Sequence, residues 1–235
     1  MWVHRVSETL KPLMPERAFS VIRQAGTAIL TPAVFAFTTG HFRSSLAGKA
    51  MDRRGDPIPW YSYPMIDFLE QNDFCSRRIL EWGAGQSTLW WSARAKNVVA
   101  FEDDKLWYHH IKTKLARDND NVELHLVASS TQGCKELLEG VFDVIIIDGL
   151  ERKVAAEQSL TWLSTDGAVL VDNSEGFWGE PGTYPIMNMF RQAGFQRVDF
   201  YGFYPAWIQP SVTSLFFRDR CFLFEGKDNP VRRLP

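Results

Sequence analysis

Four apolar runs in this 235-residue chain end on polar groups, and its capacity for chemistry is concentrated at those ends. Ile79-Leu80 leads through Glu81-Trp82 into Gly83-Ala84-Gly85-Gln86-Ser87-Thr88. Later runs end at Glu102-Asp103, at Asp148-Gly149 and at Asp172-Asn173. Glycines at 83 and 85 let backbone approach a ligand closely. A helix opening near Ser87 aims its free N–H groups at the same place. Glu102, ending the next run, can accept hydrogen bonds from both hydroxyls of a ribose. The oxygens of Asp148, Asp172 and Asn173 are of the type that suits Mg²⁺ or Ca²⁺, and such an ion would lower the pKa of a bound hydroxyl. In the plainer reading, Asp172 and Asn173 cap a loop and Asp148 lines a pocket without metal.

The elements that must hold these groups follow from periodicity. Residues 97–101, 122–127, 141–147 and 168–171 read as strands, and 105–116, 135–138, 151–163 and 186–193 as helices. Asp166-Gly167 reads as a turn before the fifth strand. Apolar runs alternating with helices imply a mostly parallel sheet covered on both faces. In such a sheet ligands bind beyond the carboxyl ends of the strands. The runs at 197–204 and 214–224 lack a helix between them and read as an antiparallel pair at the edge. His109 and His110 point about 100° apart on their helix and do not share a metal.

Residues 1–56 read as an accessory helical region, and 57–235 as the ligand-binding domain. A helix over 16–30 is expected, with Phe19, Ile22, Ala25 and Ile29 roughly on one side. Residues 25–37 are the most lipid-like stretch, too short to span a bilayer and interrupted by Pro32. A helix over 19–37 lying on a membrane surface is the alternative. No secretory signal is read, and Cys75, Cys134 and Cys221 lack metal-ligand spacing, so a reducing, cytoplasmic setting is expected. A net charge of −2 gives no reason to expect nucleic acid as a partner. His41 reads as structural. Prolines at 57, 59 and 64 hold Trp60, Tyr61 and Tyr63 in an extended segment. With Trp178 in the loop 174–184, these side chains are the candidates to wall an acceptor.

Two cofactors suit the glycine turn and Glu102, a nicotinamide dinucleotide and S-adenosylmethionine. A dinucleotide fingerprint places a third glycine where this chain has Thr88. Glu81, ahead of the glycines, suits a cationic ammonium and not a pyrophosphate.

Glu81-x-Gly83-x-Gly85-x-Ser87-Thr88, with Glu102 and Ile145-Ile146-Ile147-Asp148-Gly149, resembles the class I S-adenosylmethionine-dependent methyltransferases over about residues 57–225. The resemblance implies a Rossmann-like, doubly wound, mostly parallel seven-stranded α/β sheet with an antiparallel terminal strand. It implies a cofactor set of Glu81, Gly83, Ala84, Gly85, Gln86, Ser87, Glu102, Asp103 and Asp148. In it the glycines lie under the methionine part, Glu102 on the ribose and Glu81 toward the ammonium. Asp148 and Asp172 are the implied catalytic pair, and with Asn173 they resemble the Mg²⁺ site of catechol-type O-methyltransferases. Two departures stand out. The third strand ends in Ala128-Ser129-Ser130, where many relatives carry an acidic residue near the adenine. Glu151, with Lys153 beyond it, stands where the catechol-type enzymes have a lysine. The expected activity is methylation, at oxygen, of a small-molecule or glycan-type acceptor. The rival readings are a non-catalytic scaffold of the same fold and an NAD-binding oxidoreductase.

Overall fold

Seven strands form one sheet in the order β3-β2-β1-β4-β5-β7-β6 in the computed structural model. It describes residues 11–13, 15–115, 119–128, 134, 137–149, 151–176 and 184–225. The strands are β1 (Arg78–Trp82), β2 (Asn97–Glu102), β3 (Val122–Leu126), β4 (Phe142–Ile147), β5 (Leu163–Val171), β6 (Gln196–Gly202) and β7 (Ser211–Phe217). Strands β1 to β5 pair in parallel, and β7 alone runs against both its neighbours.

The central strands β1, β2, β4 and β5 are buried on both faces, which is why they read as largely apolar runs, whereas the edge strands β3 and β6 are partly exposed. Successive side chains on a strand point to opposite faces. Accordingly Ile79, Val144, Ile146, Ala168 and Leu170 join one hydrophobic cluster, and Leu80, Trp82, Ile145, Ile147, Val169 and Val171 the other. All eleven are fully buried. Among the described residues the helices are α1 (Glu16–Thr38), α2 (His41–Ala47), α3 (Tyr63–Leu69), α4 (Gln86–Ser92), α5 (Lys105–Leu115), α6 (Arg152–Trp162) and α7 (Tyr184–Gln192).

Three elements differ from the sequence reading. Strand β5 starts at Leu163 and runs through Asp166-Gly167, which do not form a turn. Its register against β4 shifts between Phe142 and Val144, and a side chain at Gly167 would lie 2.7 Å from the Asp143 carbonyl. The glycine marks a bulge, not a chain reversal. Helix α1 continues to Thr38 instead of stopping near residue 30, because Pro32 removes one backbone bond without ending the helix. The last run ends at Phe217 and is followed by a 3₁₀ turn, Phe222–Phe224. Residues 135 and 136 of the expected short helix lie outside the described residues.

Ser62 ties the proline-bounded segment to the antiparallel edge. Its N–H donates to Thr213 Oγ1 (3.0 Å) and its hydroxyl to the Phe200 carbonyl (2.8 Å). These bonds set Trp60 beside the carboxyl ends of β4 and β5.

Candidate functional site

The turn after β1 is fixed from three sides. Gly83 takes φ +97°, and a side chain there would lie 2.8 Å from the Gly149 nitrogen, so the loops ending β1 and β4 pack backbone to backbone. The N–H groups of Gly83 and Ala84 both donate to the Phe101 carbonyl at the end of β2, at 2.9 and 3.2 Å. Beneath the turn, the Gly85 N–H donates to Thr88 Oγ1 (2.8 Å), which donates to Glu81 Oε2 (2.5 Å). Thr88 therefore couples the glycine backbone to a carboxylate that is fully buried. Among the described residues the other oxygen, Glu81 Oε1, accepts no hydrogen bond of regular geometry, although the nearby Ser87 hydroxyl helps to stabilise the charge. Burial pushes Glu81 up to about 8. Hydrogen bonds from Ser87 and Thr88 oppose that rise, while Asp148 and Glu102 add to it.

At the end of β2, Glu102 Oε1 accepts from the N–H groups of Asp103 (3.1 Å) and Asp104 (2.8 Å). Burial raises this carboxyl to about 7. Trp107, on the first turn of α5, donates its indole N–H to the Ala84 carbonyl (2.7 Å) and so lies between Glu102 and the glycine turn. Gln86 is held by its amide N–H to the Ala50 carbonyl (3.2 Å), and its amide oxygen accepts from Lys114 (3.2 Å).

The ends of β4 and β5 are joined by Arg152, one helical turn beyond Asp148. Its Nη2 lies 3.8 Å from Asp148 Oδ1, Nε donates to the Gly149 carbonyl (3.2 Å), and Nη1 donates to the Asp172 carbonyl. The Asp172 carboxylate accepts from Thr213 Oγ1 at 2.6 Å. Asn173, at φ +45°, donates its amide to Ser211 Oγ (3.0 Å), whose hydroxyl donates to Glu175 (2.6 Å). Burial raises Asp148 to about 6, with Arg152 holding it down. Burial, then Asp148, raises Asp172 well above the carboxylate range.

The glycine turn, Glu102, Trp107, Asp148, Arg152 and Asp172 line one cavity of about 840 Å³ across the carboxyl ends of the parallel strands. Its far wall is aromatic. Tyr204 and Trp207 stack with ring planes 18° apart, and Trp60 donates its indole N–H to the Pro205 carbonyl between them (2.7 Å). Burial, then Asp172 and Glu175, raises the Tyr204 hydroxyl to about 12.

No family model matches the chain, and no curated protein matches its sequence. Solved structures do match its fold. A candidate O-methyltransferase from Klebsiella pneumoniae is 17% identical, with 84% of this chain and 99% of that one covered and a TM-score of 0.58. An rRNA methylase from Streptococcus thermophilus is 15% identical, over 66% of this chain and 97% of that one, with a TM-score of 0.53. A candidate methyltransferase from Streptococcus mutans, solved in complex with SAH, is 18% identical over 64% and 94%, with a TM-score of 0.51. This is the class I methyltransferase fold.

In that methyltransferase fold, the expected cofactor residues Gly83, Ala84, Gly85, Gln86, Ser87, Glu102, Asp103 and Asp148 line one cavity, together with Asp172, Asn173 and Trp60. Three others stand elsewhere. Glu81 lies buried beneath the turn. Tyr61 is a core residue whose hydroxyl accepts from the Trp91 indole (3.5 Å). Tyr63 packs against His41, its hydroxyl 3.4 Å from Nδ1. Proline spacing indicates an extended segment but not which alternate side chains face inward. Trp178 and Ser129-Ser130 lie outside the described residues.

The residues present do not fit the expected divalent ion. The Arg152 guanidinium bridges the two strand ends, Asp172 is bonded to Thr213 and Asn173 to Ser211. Among the described residues no group of three His, Cys, Asp or Glu side chains converges. Trp107, Arg152, Tyr204 and Trp207 line the cavity without having stood out in the sequence. Arg152 was findable, since it lies four residues past Asp148 on the helix that β4 feeds.

Proposed function

We propose that this protein is an S-adenosylmethionine-dependent methyltransferase acting at oxygen on a small-molecule or glycan-type acceptor. The observation that carries this reading is Glu81. It is a wholly buried carboxyl, one oxygen of which accepts no hydrogen bond of regular geometry among the described residues, directly beneath the glycine turn. An unpaired buried polar atom is costly, and a cationic ammonium brought onto the turn, directly or through one water, relieves it. A pyrophosphate at the same place meets a buried acid, which argues against a dinucleotide. Glu102 supplies the ribose acceptor, with its carboxylate already oriented by two backbone N–H groups. Trp107 supplies an apolar plane beside it.

When bound, S-adenosylmethionine supplies a methyl group on a sulfonium, ready for displacement by a nucleophile in line with it. The chain's own part is to hold two ligands end to end and exclude water, which accounts for much of the rate in such reactions. Asp148 lies between the cofactor residues and the aromatic wall, and its side chain is 24% exposed. A carboxyl raised to about 6 is ionised at neutral pH, yet basic enough to take a proton from an acceptor hydroxyl. Arg152 fixes the Asp148 carboxylate while binding the Asp172 backbone, so it is a positioning residue. The aromatic wall of Trp60, Tyr204 and Trp207 suits stacking on a planar ring or a sugar face.

Incubation with methyl-labelled S-adenosylmethionine and a fractionated small-molecule and glycan extract tests the reading. Label is expected in a product resistant to both nuclease and protease. Label confined to nucleic acid or protein would contradict the acceptor class.

A further inference from the structure

Helix α1 carries a surface that contact with water does not explain. None of its 23 residues is buried, although Val21, Ile22, Ile29, Leu30, Val34 and Phe37 are large and apolar. It is long and apolar enough to cross a membrane. At 1.5 Å per residue it extends about 34 Å, against a hydrocarbon core of about 30 Å.

Three further features select lipid as the occupant. First, the hydroxyls of Thr27, Thr31 and Thr38 donate to the carbonyls of Arg23, Thr27 and Val34, one turn earlier, at 2.8, 2.7 and 2.6 Å. Polar groups satisfied within their own helix do not need water. Second, Val21 and Leu30 lie about half a turn apart around the axis at roughly 100° per residue. One partner helix covers one side, whereas lipid covers both. Third, Arg43, Lys49, Arg53 and Arg54 follow the helix on exposed positions, against Asp52 and Asp56, and suit anionic headgroups. Arg17 and Arg23 sit toward the opposite end, where long side chains reach the interface.

The helix also points to where the cavity opens. Phe35, in its last turn, packs on Phe203 with ring centroids 5.7 Å apart, and on Tyr63 and His41 at 5.5 Å each. Phe203 precedes Tyr204, and Tyr204 and Trp207 wall the cavity. Ile208 next to them is 86% exposed. At the base of the helix Phe37 meets Phe42 at 5.1 Å, and Leu46 is 76% exposed.

We propose that α1 is a lipid-bilayer anchor and that it seats the Trp60–Trp207 mouth of the cavity at the membrane surface. An acceptor reaching that mouth is then an amphiphile drawn from the bilayer. This last step rests on the methyltransferase reading, but the anchor and its seating do not.

Flotation of the full chain with vesicles of phosphatidylcholine and phosphatidylglycerol tests the anchor without reading turnover. The chain is expected to float and to remain bound in about 1 M salt, where surface charge attraction is screened. Ile29→Arg with Val34→Arg, both on exposed positions, is expected to reduce bound protein by at least about tenfold. Leu106→Arg, on a still more exposed residue of α5, is expected to leave flotation unchanged. Ile208→Cys in a Cys75→Ser background, carrying an environment-sensitive dye, is expected to shift to the blue on vesicles. Failure to float, release by salt, or recovery from cells of a chain starting beyond residue 38 would overturn the anchor. So would a double variant that floats normally but loses self-association, because a second copy would then cover the helix. Flotation with no dye shift at 208 would overturn the seating of the mouth.

Discussion

Glu81→Gln is expected to make the protein more stable and bind its cofactor less well. In the folded protein Glu81 is raised to about 8 from an ordinary 4.5, chiefly by burial. A carboxyl raised on folding binds a proton in the native state that it lacks when unfolded. Its burial therefore has no effect on stability below about pH 4.5 and destabilises increasingly up to about pH 8. At about 1.4 kcal/mol per unit, the penalty at pH 7 is on the order of 3 kcal/mol. Glutamine keeps an oxygen for Thr88 to donate to and has no charge to lose. Urea denaturation of both proteins between pH 4.5 and 8.5 should show curves that coincide at the acid end. They should then separate as pH rises, with the variant the more stable. An ammonium above the turn would favour ionised Glu81, so binding of S-adenosylhomocysteine should release a proton. Calorimetry in buffers of different ionisation enthalpy would read that release, and the variant should lack it. A stability difference independent of pH, or a variant less stable than the parent at pH 7, would refute the reasoning.

Glu102→Ala should weaken S-adenosylhomocysteine binding by about 1–3 kcal/mol, the range for losing charged hydrogen bonds, as read by its dissociation constant. Asp148→Asn should lower kcat by about 10²–10⁴-fold. The parent rate should rise with pH through about 6, as Asp148 ionises, and the variant should lose that limb of the profile. Because Arg152 joins the ends of β4 and β5, rigorous chelation should leave turnover unchanged, and Mg²⁺ should not raise it.

Much of the fold was legible because its determinants are local. Residues 144–147 and 168–171 are apolar without interruption, as strands buried on both faces must be, and the two glycines after Leu80 mark the turn. The part of the cavity around the glycine turn was legible for the same reason, since Gly83 to Ser87 are contiguous and Glu102 ends the next strand. The aromatic wall was not. Tyr204 and Trp207 reach the cavity only because β7 runs antiparallel and returns the loop between β6 and β7 to Trp60. Tyr61 and Tyr63 flank a residue that does face the cavity, and packing against Trp91 and His41 decides where they point. The pairing of Asp148 with Asp172 and Asn173 suggested a cation, but Arg152 already supplies one. In β5, Asp166-Gly167 is locally a turn sequence, yet pairing with β4 absorbs it as a bulge. Pro32 likewise reads as a break from sequence alone, although one missing backbone bond leaves the turns on either side intact.

The central claim is that the glycine turn, Glu81 and Glu102 together receive S-adenosylmethionine. Titration calorimetry of the purified protein with S-adenosylhomocysteine, and separately with NADH, tests it most directly. Micromolar binding of S-adenosylhomocysteine with no heat from NADH is the expected result. Binding of NADH alone, or of neither ligand, would contradict it.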